Sequence, residues 1–445
     1  MKLTKSSINT TDDAMKWITD NDISALDLTF VGPDGLKHRL GVMNGGIKSA
    51  LKNGANIHAG TIPGIAVDGF DGDVTLVPDL NTLVNVPMYN SEYGKVASVM
   101  CDVMMPDKSR AVGDSRGMLK DIVSGMSDVG VSNAVIGLEC EFYLTSPNAK
   151  TSGKKSFAER ACSVLGKILP FLADKVDNFN GDKGDYMYDG HDYSSGTVNV
   201  RRHIAHVLKT MGINVIKEHH EGKSGHCELV LEAMDAVSAC DSLLWTREVI
   251  ISIAKEHGYV ANLEDKPFLD MPGSGMHINV SLVDENDKNL FIGEEEGELS
   301  DIGETFVTGV LDDAHDTTLI TNPTDNSFER LDPNMHAPNA IAFGDDRYSI
   351  LRKPDINAPD ETRVEARHAG MGGERGNTFR IVGNLLASGI EGVRRGKVNL
   401  SPRGFLPKTK KMAIAAFMKG ESAIKKFLHP DTVKFIVDNS EKEIG

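Results

Sequence analysis

VIGLECEFYL, residues Val135–Leu144, is the stretch on which the reading of this chain turns. Polar and apolar residues alternate along it as in a strand, and Glu139 and Glu141 stand two residues apart, so both point to one face. The apolar neighbours Ile136, Leu138, Phe142 and Leu144 place the segment inside a fold. Two carboxylates on one buried face are costly unless a cation meets them. A strand whose acidic face meets water would look the same, so the decision rests on the rest of the chain.

Composition narrows the possibilities. At 445 residues there is room for two or three domains, and the 40% hydrophobic content is ordinary for a globular protein. A formal net charge of −16 disfavours nucleic acid and anionic membranes as partners, and would also suit adaptation to salt. The five cysteines, Cys101, Cys140, Cys162, Cys227 and Cys240, show no framework spacing and suit a reducing, cytoplasmic setting. The polar start MKLTKSSINTTDD does not read as a signal peptide, and no apolar run approaches the roughly 20 residues that span a bilayer.

Read in order, the chain begins with a helix at Thr11–Asn21. Strands follow at Ala25–Val31 and Leu36–Val42, joined by the turn Gly-Pro-Asp-Gly, and a helical piece at Lys48–Lys52. Asn56–Phe70, rich in Gly and Pro, reads as a loop; Asp73–Val77, Leu83–Val86 and Ala97–Met105 read as strands. Residues 1–105 thus form a small strand-rich domain, with a boundary at the charged crossing Asp107–Asp114 and a larger domain over 106–445. In the larger domain, helical patterns cover Phe157–Leu172, Val198–Met211, Asp235–His257, Asp301–Asp316, Thr378–Arg395 and Lys410–Phe427. Asn180–Gly196 reads as a loop, and Lys288–Leu299 as a solvated acidic loop.

Between the helices, three more strands repeat the pattern of the first. In His226–Leu231, after Glu221, Glu228 shares a face with His226. In Met276–Leu282, His277, Asn279 and Ser281 share a face. In Glu361–Arg367, Arg363, Glu365 and Arg367 do. One such strand is most simply a solvated edge; four, flanked by core-forming helices, fit one polar cavity better. Glu139, Glu141, Glu221, Glu228, Glu365 and His277 would give it five carboxylates and an imidazole. That donor set suits Mg²⁺ or Mn²⁺ and is large enough for two ions. Arg330, Arg347, Arg352, Arg363 and Arg367 add cations in the same third of the chain. Arginines beside carboxylate-bound metal are the requirements of phosphoryl transfer. No Walker A sequence is present, which excludes a P-loop enzyme.

These residues lie in motifs that resemble the glutamine synthetase superfamily over nearly the whole chain: GLECEFYL, HHEGKSGHCEL, PGSGMHINVSL, TNPTDNSFERL, HAPNAIAFGDDRYSILR and ETRVEARHAG, in the family's order. The resemblance implies an α+β protein. Its parts would be an N-terminal β-grasp domain and a catalytic domain with a bowl-shaped antiparallel barrel, assembled into stacked rings, as in a dodecamer, with active sites between subunits. It implies that Glu141, Glu221 and Glu228 hold the metal nearest the acidic substrate, and that Glu139, His277 and Glu365 hold the metal at the ATP phosphates. It also assigns Arg330, Arg367 and the backbone at Gly273 to glutamate. Arg347 and Arg352 would meet the transferred phosphoryl group, with Arg363, Asn279 and Ser281 on the nucleotide side.

Departures gather where the family handles ammonia. In Pro333-Asn334-Met335-His336-Ala337-Pro338, His336 replaces the flap glutamate that takes a proton from the attacking amine. His58-Ala59-Gly60-Thr61 carries no ammonium-binding aspartate, and Asn279 and Pro272 replace a usual histidine and asparagine. Loss of both acidic groups resembles the branch that joins glutamate to an organic amine, such as γ-glutamylmethylamide synthetase. His336 is then either a general base or a residue that fills space. The expected activity is ATP-dependent ligation of glutamate to a small amine through γ-glutamyl phosphate. Glutamine synthetase with an altered ammonium site is the alternative within the enzymes, and a non-catalytic relative the alternative outside them. A guanidino kinase fits the motifs poorly. Retention of all six metal positions argues against a purely structural protein.

Overall fold

The computed structural model describes residues 8–147, 196–223, 225–295, 297–331, 338–373 and 375–442. The expected helix Phe157–Leu172, nearly all of the loop Asn180–Gly196, Cys162 and His336 lie outside these residues.

Among the described residues the N-terminal sheet has six strands: β1 (Ile23–Val31), β2 (Lys37–Met43), β3 (Ala55–His58), β4 (Asp73–Pro78), β5 (Val84–Asn85) and β6 (Lys95–Met104). Their order is β2-β1-β6-β4-β3, with β5 also on β6. β1 and β6 run parallel, and the other pairs are antiparallel. Helix Thr11–Asp20 starts at a reciprocal cap, in which the Thr10 hydroxyl accepts from the Asp13 N–H while Asp13 accepts from the Thr10 N–H. Its Ala14 and Ile18 enter the core with Leu26, Leu28, Val99 and Ile47. Two expectations change here. The helix at Lys48–Lys52 runs from Asn44 to Asn53, and the stretch read as a loop from Asn56 contains β3, which pairs with β4. A four-residue strand carries too little periodicity to be seen without its partner.

The second sheet carries nine strands among the described residues: β7 (Asn133–Thr145), β8 (Val215–His220), β9 (His226–Leu231), β10 (Met234–Asp235), β11 (Val260–Asn262), β12 (Met276–Val283), β13 (Ala340–Gly344), β14 (Ser349–Arg352) and β15 (Val364–Ala366). Their order is β13-β14-β15-β12-β7-β9-β8, antiparallel except for β13 with β14, in a curled half-barrel. β7 is central, and both of its faces are covered. Leu138, Cys140, Phe142 and Leu144 enter the apolar core, while Glu139 and Glu141 alternate with them. Helix Ala236–Glu256 packs on β7 and on helix Thr378–Arg395. The latter lies so close to helix Asp301–Asp313 that a Cβ at Gly309 would stand 2.2 Å from the Ser388 carbonyl oxygen. No helix among the described residues is long and apolar enough to cross a membrane.

Other boundaries shift for local reasons. Helix Ser115–Ser124, absent from the sequence reading, is capped by Asp114, which accepts from the Gly117 N–H at 3.0 Å. The pattern over Lys410–Phe427 breaks into helix Lys410–Lys419 and a 3₁₀ turn; the backbone becomes extended at Gly420, where a Cβ would collide with Asp316. The strand expected over Glu361–Arg367 is regular only at Val364–Ala366. Lys288–Leu299 is not merely solvated: Phe291 is fully buried, its ring tilted against that of Phe306 with centroids 5.3 Å apart.

Candidate metal and phosphoryl-transfer site

Register brings the acidic residues together. β12 pairs with β7 so that His277 lies opposite Glu139, and β9 pairs with β7 so that Glu228 lies opposite Glu141. β15 sets Glu365 opposite Asn279, and β8 sets His219 opposite Glu228. Three sets of donors result, each with atoms within 4.8 Å of one another: Glu139, His277 and Glu365; Glu141, Glu228 and His277; His219, Glu221 and Glu228. All six residues expected at the metals thus fall in one continuous group. His277 Nδ1 is 3.0 Å from Glu139 and 3.5 Å from Glu365, and its Nε2 is 3.5 Å from Glu141.

The electrostatics follow from burial with few counter-charges. Burial works to raise the pKa of Glu139, but the His277 hydrogen bond and charge, with help from Asn279, hold it at about 2. Glu141 is pushed up by burial, against the pull of His277, and Glu221 is pushed up by burial and the charge of Glu228. Carboxylates held close at such cost fit hard divalent cations, which would replace the missing positive charge.

His219 is the member that the sequence reading missed. Its Nε2 lies 3.2 Å from Glu228 and its Nδ1 3.5 Å from Glu221. The signal was present, since His219 and Glu221 alternate. Burial opposes its charge, but the hydrogen bond and charge of Glu228 raise its pKa to about 9. A raised pKa stabilises the fold fully below the unfolded value and ceases to do so as pH rises through the folded one. Metal-free protein should therefore lose thermal stability between about pH 6.5 and 9. His219→Asn should flatten that limb in thermal melts with chelator; an unchanged limb would assign it elsewhere.

The arginines divide. Arg352 Nη1 lies 3.1 Å from Glu365, and Arg367 also pairs with Glu365. The Nε atoms of both are buried without a partner, as donors awaiting an anion would be. Arg330 is buried and donates to the carbonyls of Arg367 and His368. Its side chain packs against Gly273, where a Cβ would stand 2.7 Å from its Cγ. Arg363 Nε donates to Asn279 Oδ1, and Asn279 Nδ2 donates to Glu139, so Asn279 links an arginine to a member of the acidic group. Ser281 follows on the same face of β12, half-buried. Arg347 is exposed in the turn between β13 and β14. His226 is buried and stacks on Tyr143 with ring centroids 4.2 Å apart; burial drives its pKa to about 3, so it is neutral. The short turn Ala59–Thr61 has no acid of its own, but His58 before it lies 3.4 Å from Asp71.

Residues 112–444 match the family model of the glutamine synthetase catalytic domain. Glutamine synthetase of Clostridium saccharobutylicum is 28% identical over 405 residues, 88% of this chain and 81% of that protein. That of Staphylococcus epidermidis is 30% identical over 389 residues, 86% and 79% of the two chains. In fold, the chain is similar to Plasmodium falciparum glutamine synthetase, with a TM-score of 0.85, 18% identity, and coverage of 99% and 97%. It is also similar to GmaS in complex with ADP, with a TM-score of 0.81, 22% identity, and coverage of 98% and 96%.

Proposed function

Because the chain belongs to the glutamine synthetase family, whose members are ATP-dependent ligases forming carbon–nitrogen bonds, we propose that it joins the γ-carboxyl of L-glutamate to a small primary amine, methylamine first. The observation that carries the phosphoryl-transfer half is the joined acidic group beside the unpartnered Nε atoms of Arg352 and Arg367. We assign one Mg²⁺ or Mn²⁺ to Glu141, Glu221 and Glu228, and a second to Glu139, His277 and Glu365. Such ions, when bound, neutralise phosphate charge and align the reacting oxygens.

The chain's own residues do the rest. Arg330, Arg367 and the backbone at Gly273 hold glutamate. Arg347 and Arg352 meet the charge on the group in transit, while Arg363, Asn279 and Ser281 serve the nucleotide side. The γ-phosphoryl group passes to a γ-carboxylate oxygen and ADP leaves. The amine nitrogen then attacks the carbonyl carbon, phosphate departs, and the amine proton goes to a base, for which His336 stands at the family's flap position. An alkylammonium is about as basic as Lys, with a pKa near 10, so a base is required at neutral pH.

The acceptor rests on that histidine and on the missing loop aspartate. The similarity in fold to GmaS, a γ-glutamylmethylamide synthetase, accords with it. Phosphate release from ATP and glutamate should show a higher kcat/KM with methylamine than with ammonia, and His336→Ala should slow the amine reaction. If ammonia equals or exceeds every amine tested, the enzyme is a divergent glutamine synthetase. That second reading is favoured by the curated relatives and by Asp71, which brings an acid beside His58.

We further read residues 1–105 as a β-grasp domain and 106–445 as the catalytic domain of a cytoplasmic ring-stacked homo-oligomer, a dodecamer by analogy. The His58–Gly64 loop would then face a neighbour's metals. Light scattering should show the oligomer, and a fully active monomer would refute this arrangement.

A further inference from the structure

The acidic face of β7 does not end at Glu141. Tyr143 follows two residues on and shares that face, and β9 sets His226 opposite it as it sets Glu228 opposite Glu141. The rung next to the Glu141–Glu228 pair is therefore aromatic, with the two rings stacked at a centroid distance of 4.2 Å and an interplanar angle of 2°. Tyr143 is 1% exposed, so its hydroxyl needs a partner within the protein. It finds one in a loop.

That loop leaves the sheet at β11, where Asn262 pairs with Tyr143, and returns at β12, where Met276 pairs with Cys140. Residues 263–275 thus arch out beside Glu141. The Tyr143 hydroxyl donates to the Pro272 carbonyl at 2.8 Å, and His226 Nε2 lies 3.3 Å from the Ser274 hydroxyl. Pro272 and Ser274 are the two neighbours of Gly273, the glycine proposed to hold glutamate through its backbone. Phe268, from the same loop, meets the Tyr143 ring edge-on with centroids 5.3 Å apart. The Ser274 and Gly275 N–H groups donate to the Asp265 carbonyl and to Glu141 Oε2, both at 2.8 Å. Pro272 contributes no N–H, and its ring fixes its φ. The direction of its carbonyl therefore sets the plane of the Pro272–Gly273 peptide.

We propose that Tyr143 and His226 are positioning residues that set Gly273 for glutamate, acting through the loop and not on the reacting atoms. This rests on the glutamate-binding reading given above. Tyr143 fixes the peptide plane before Gly273 and His226 the side chain after it, so the glycine backbone is held ready instead of being ordered by each substrate. A phenylalanine would give the same stack and the same burial; the hydroxyl is what reaches the loop. The acidic group does not depend on that hydroxyl, since Glu141 takes its loop N–H from Gly275.

Tyr143→Phe tests this in the full-length protein loaded with Mn²⁺. Calorimetric titration with L-glutamate should show binding weakened about five- to tenfold, the range that one neutral hydrogen bond supplies. The KM for glutamate should rise alike, while kcat at saturating glutamate and the affinities for ADP and Mn²⁺ stay as in wild type. Unchanged glutamate affinity in folded Tyr143→Phe overturns the inference. So does an equal loss for glutamate, ADP and Mn²⁺ with a lowered thermal midpoint, which is what a tyrosine that merely fills the core would give. If Tyr143→Phe does not fold, Ser274→Ala removes the second tether. It should also weaken glutamate and spare ADP, and unchanged glutamate affinity there refutes the proposal. Wild-type protein that binds no glutamate overturns the parent reading itself, a different result from wild-type binding that the variant leaves intact.

Discussion

Glu141→Gln is expected to abolish metal-dependent ATP turnover and leave the fold no less stable. The side chain is 11% exposed and lies 3.5 Å from His277, with Glu228 opposite it in the sheet. Glutamine has the same shape and can still accept from the Gly275 N–H, which donates to Glu141 Oε2 at 2.8 Å. What it lacks is the charge that a hard divalent cation requires of its ligand. Changes to residues that merely support a metal ligand cost roughly 10–100-fold in affinity or activity, so loss of a ligand should cost more than about 100-fold. Stability should respond the other way. Burial pushes the Glu141 pKa up, so the ionised form is held at a cost in metal-free protein, and the neutral amide relieves it. Titration of Mn²⁺ followed by electron paramagnetic resonance, with thermal melts of the metal-free variant, reads both effects. Retained activity with unchanged Mn²⁺ affinity would remove Glu141 from the metal site.

The second large effect concerns the joint between the two sheets. Arg116, on helix Ser115–Ser124, is almost fully buried and meets three carboxylates: Asp241 at 2.9 Å on helix Ala236–Glu256, Asp102 at 2.7 Å on β6, and Asp79 at 2.9 Å after β4. Lys120 reaches Asp102 at 2.7 Å and Asp79 at 3.3 Å. Removing the guanidinium leaves a buried acid without its counter-charge. Arg116→Met should therefore destabilise the protein by about 3–5 kcal/mol. In a chain of this size that amounts to a fall of roughly 3–5 °C in thermal midpoint. Scanning calorimetry reads it, and Arg116→Met combined with Asp241→Leu should recover part of the loss. A midpoint within about a degree of wild type would mean that the three acids find other partners, with the network worth no more than a surface pair.

How far could the sequence alone go? Alternation carried the placement of Glu139, Glu141, Glu228, His277 and Glu365 on strands, because a period of two is a property of the backbone and survives any arrangement of the strands. Helix Thr378–Arg395 was legible to the residue, since its capping Asn377 and terminal Gly396 are local signals. The family, too, was legible in motifs whose residue types the chemistry dictates. Tertiary structure decided what local signals cannot carry. β3 exists only by pairing with β4, and Phe291 leaves an acidic loop for the core because Phe306 waits there. His219 joins the acidic group because β8 pairs with β9 in a register that sets it opposite Glu228. Arg380 reads in sequence as one more helical cation; only the packing of the β1–β2 turn and the C-terminal helix around it takes its guanidinium out of water. In each case the deciding quantity is a contact between residues distant along the chain, and its energy depends on burial and register that no local pattern specifies.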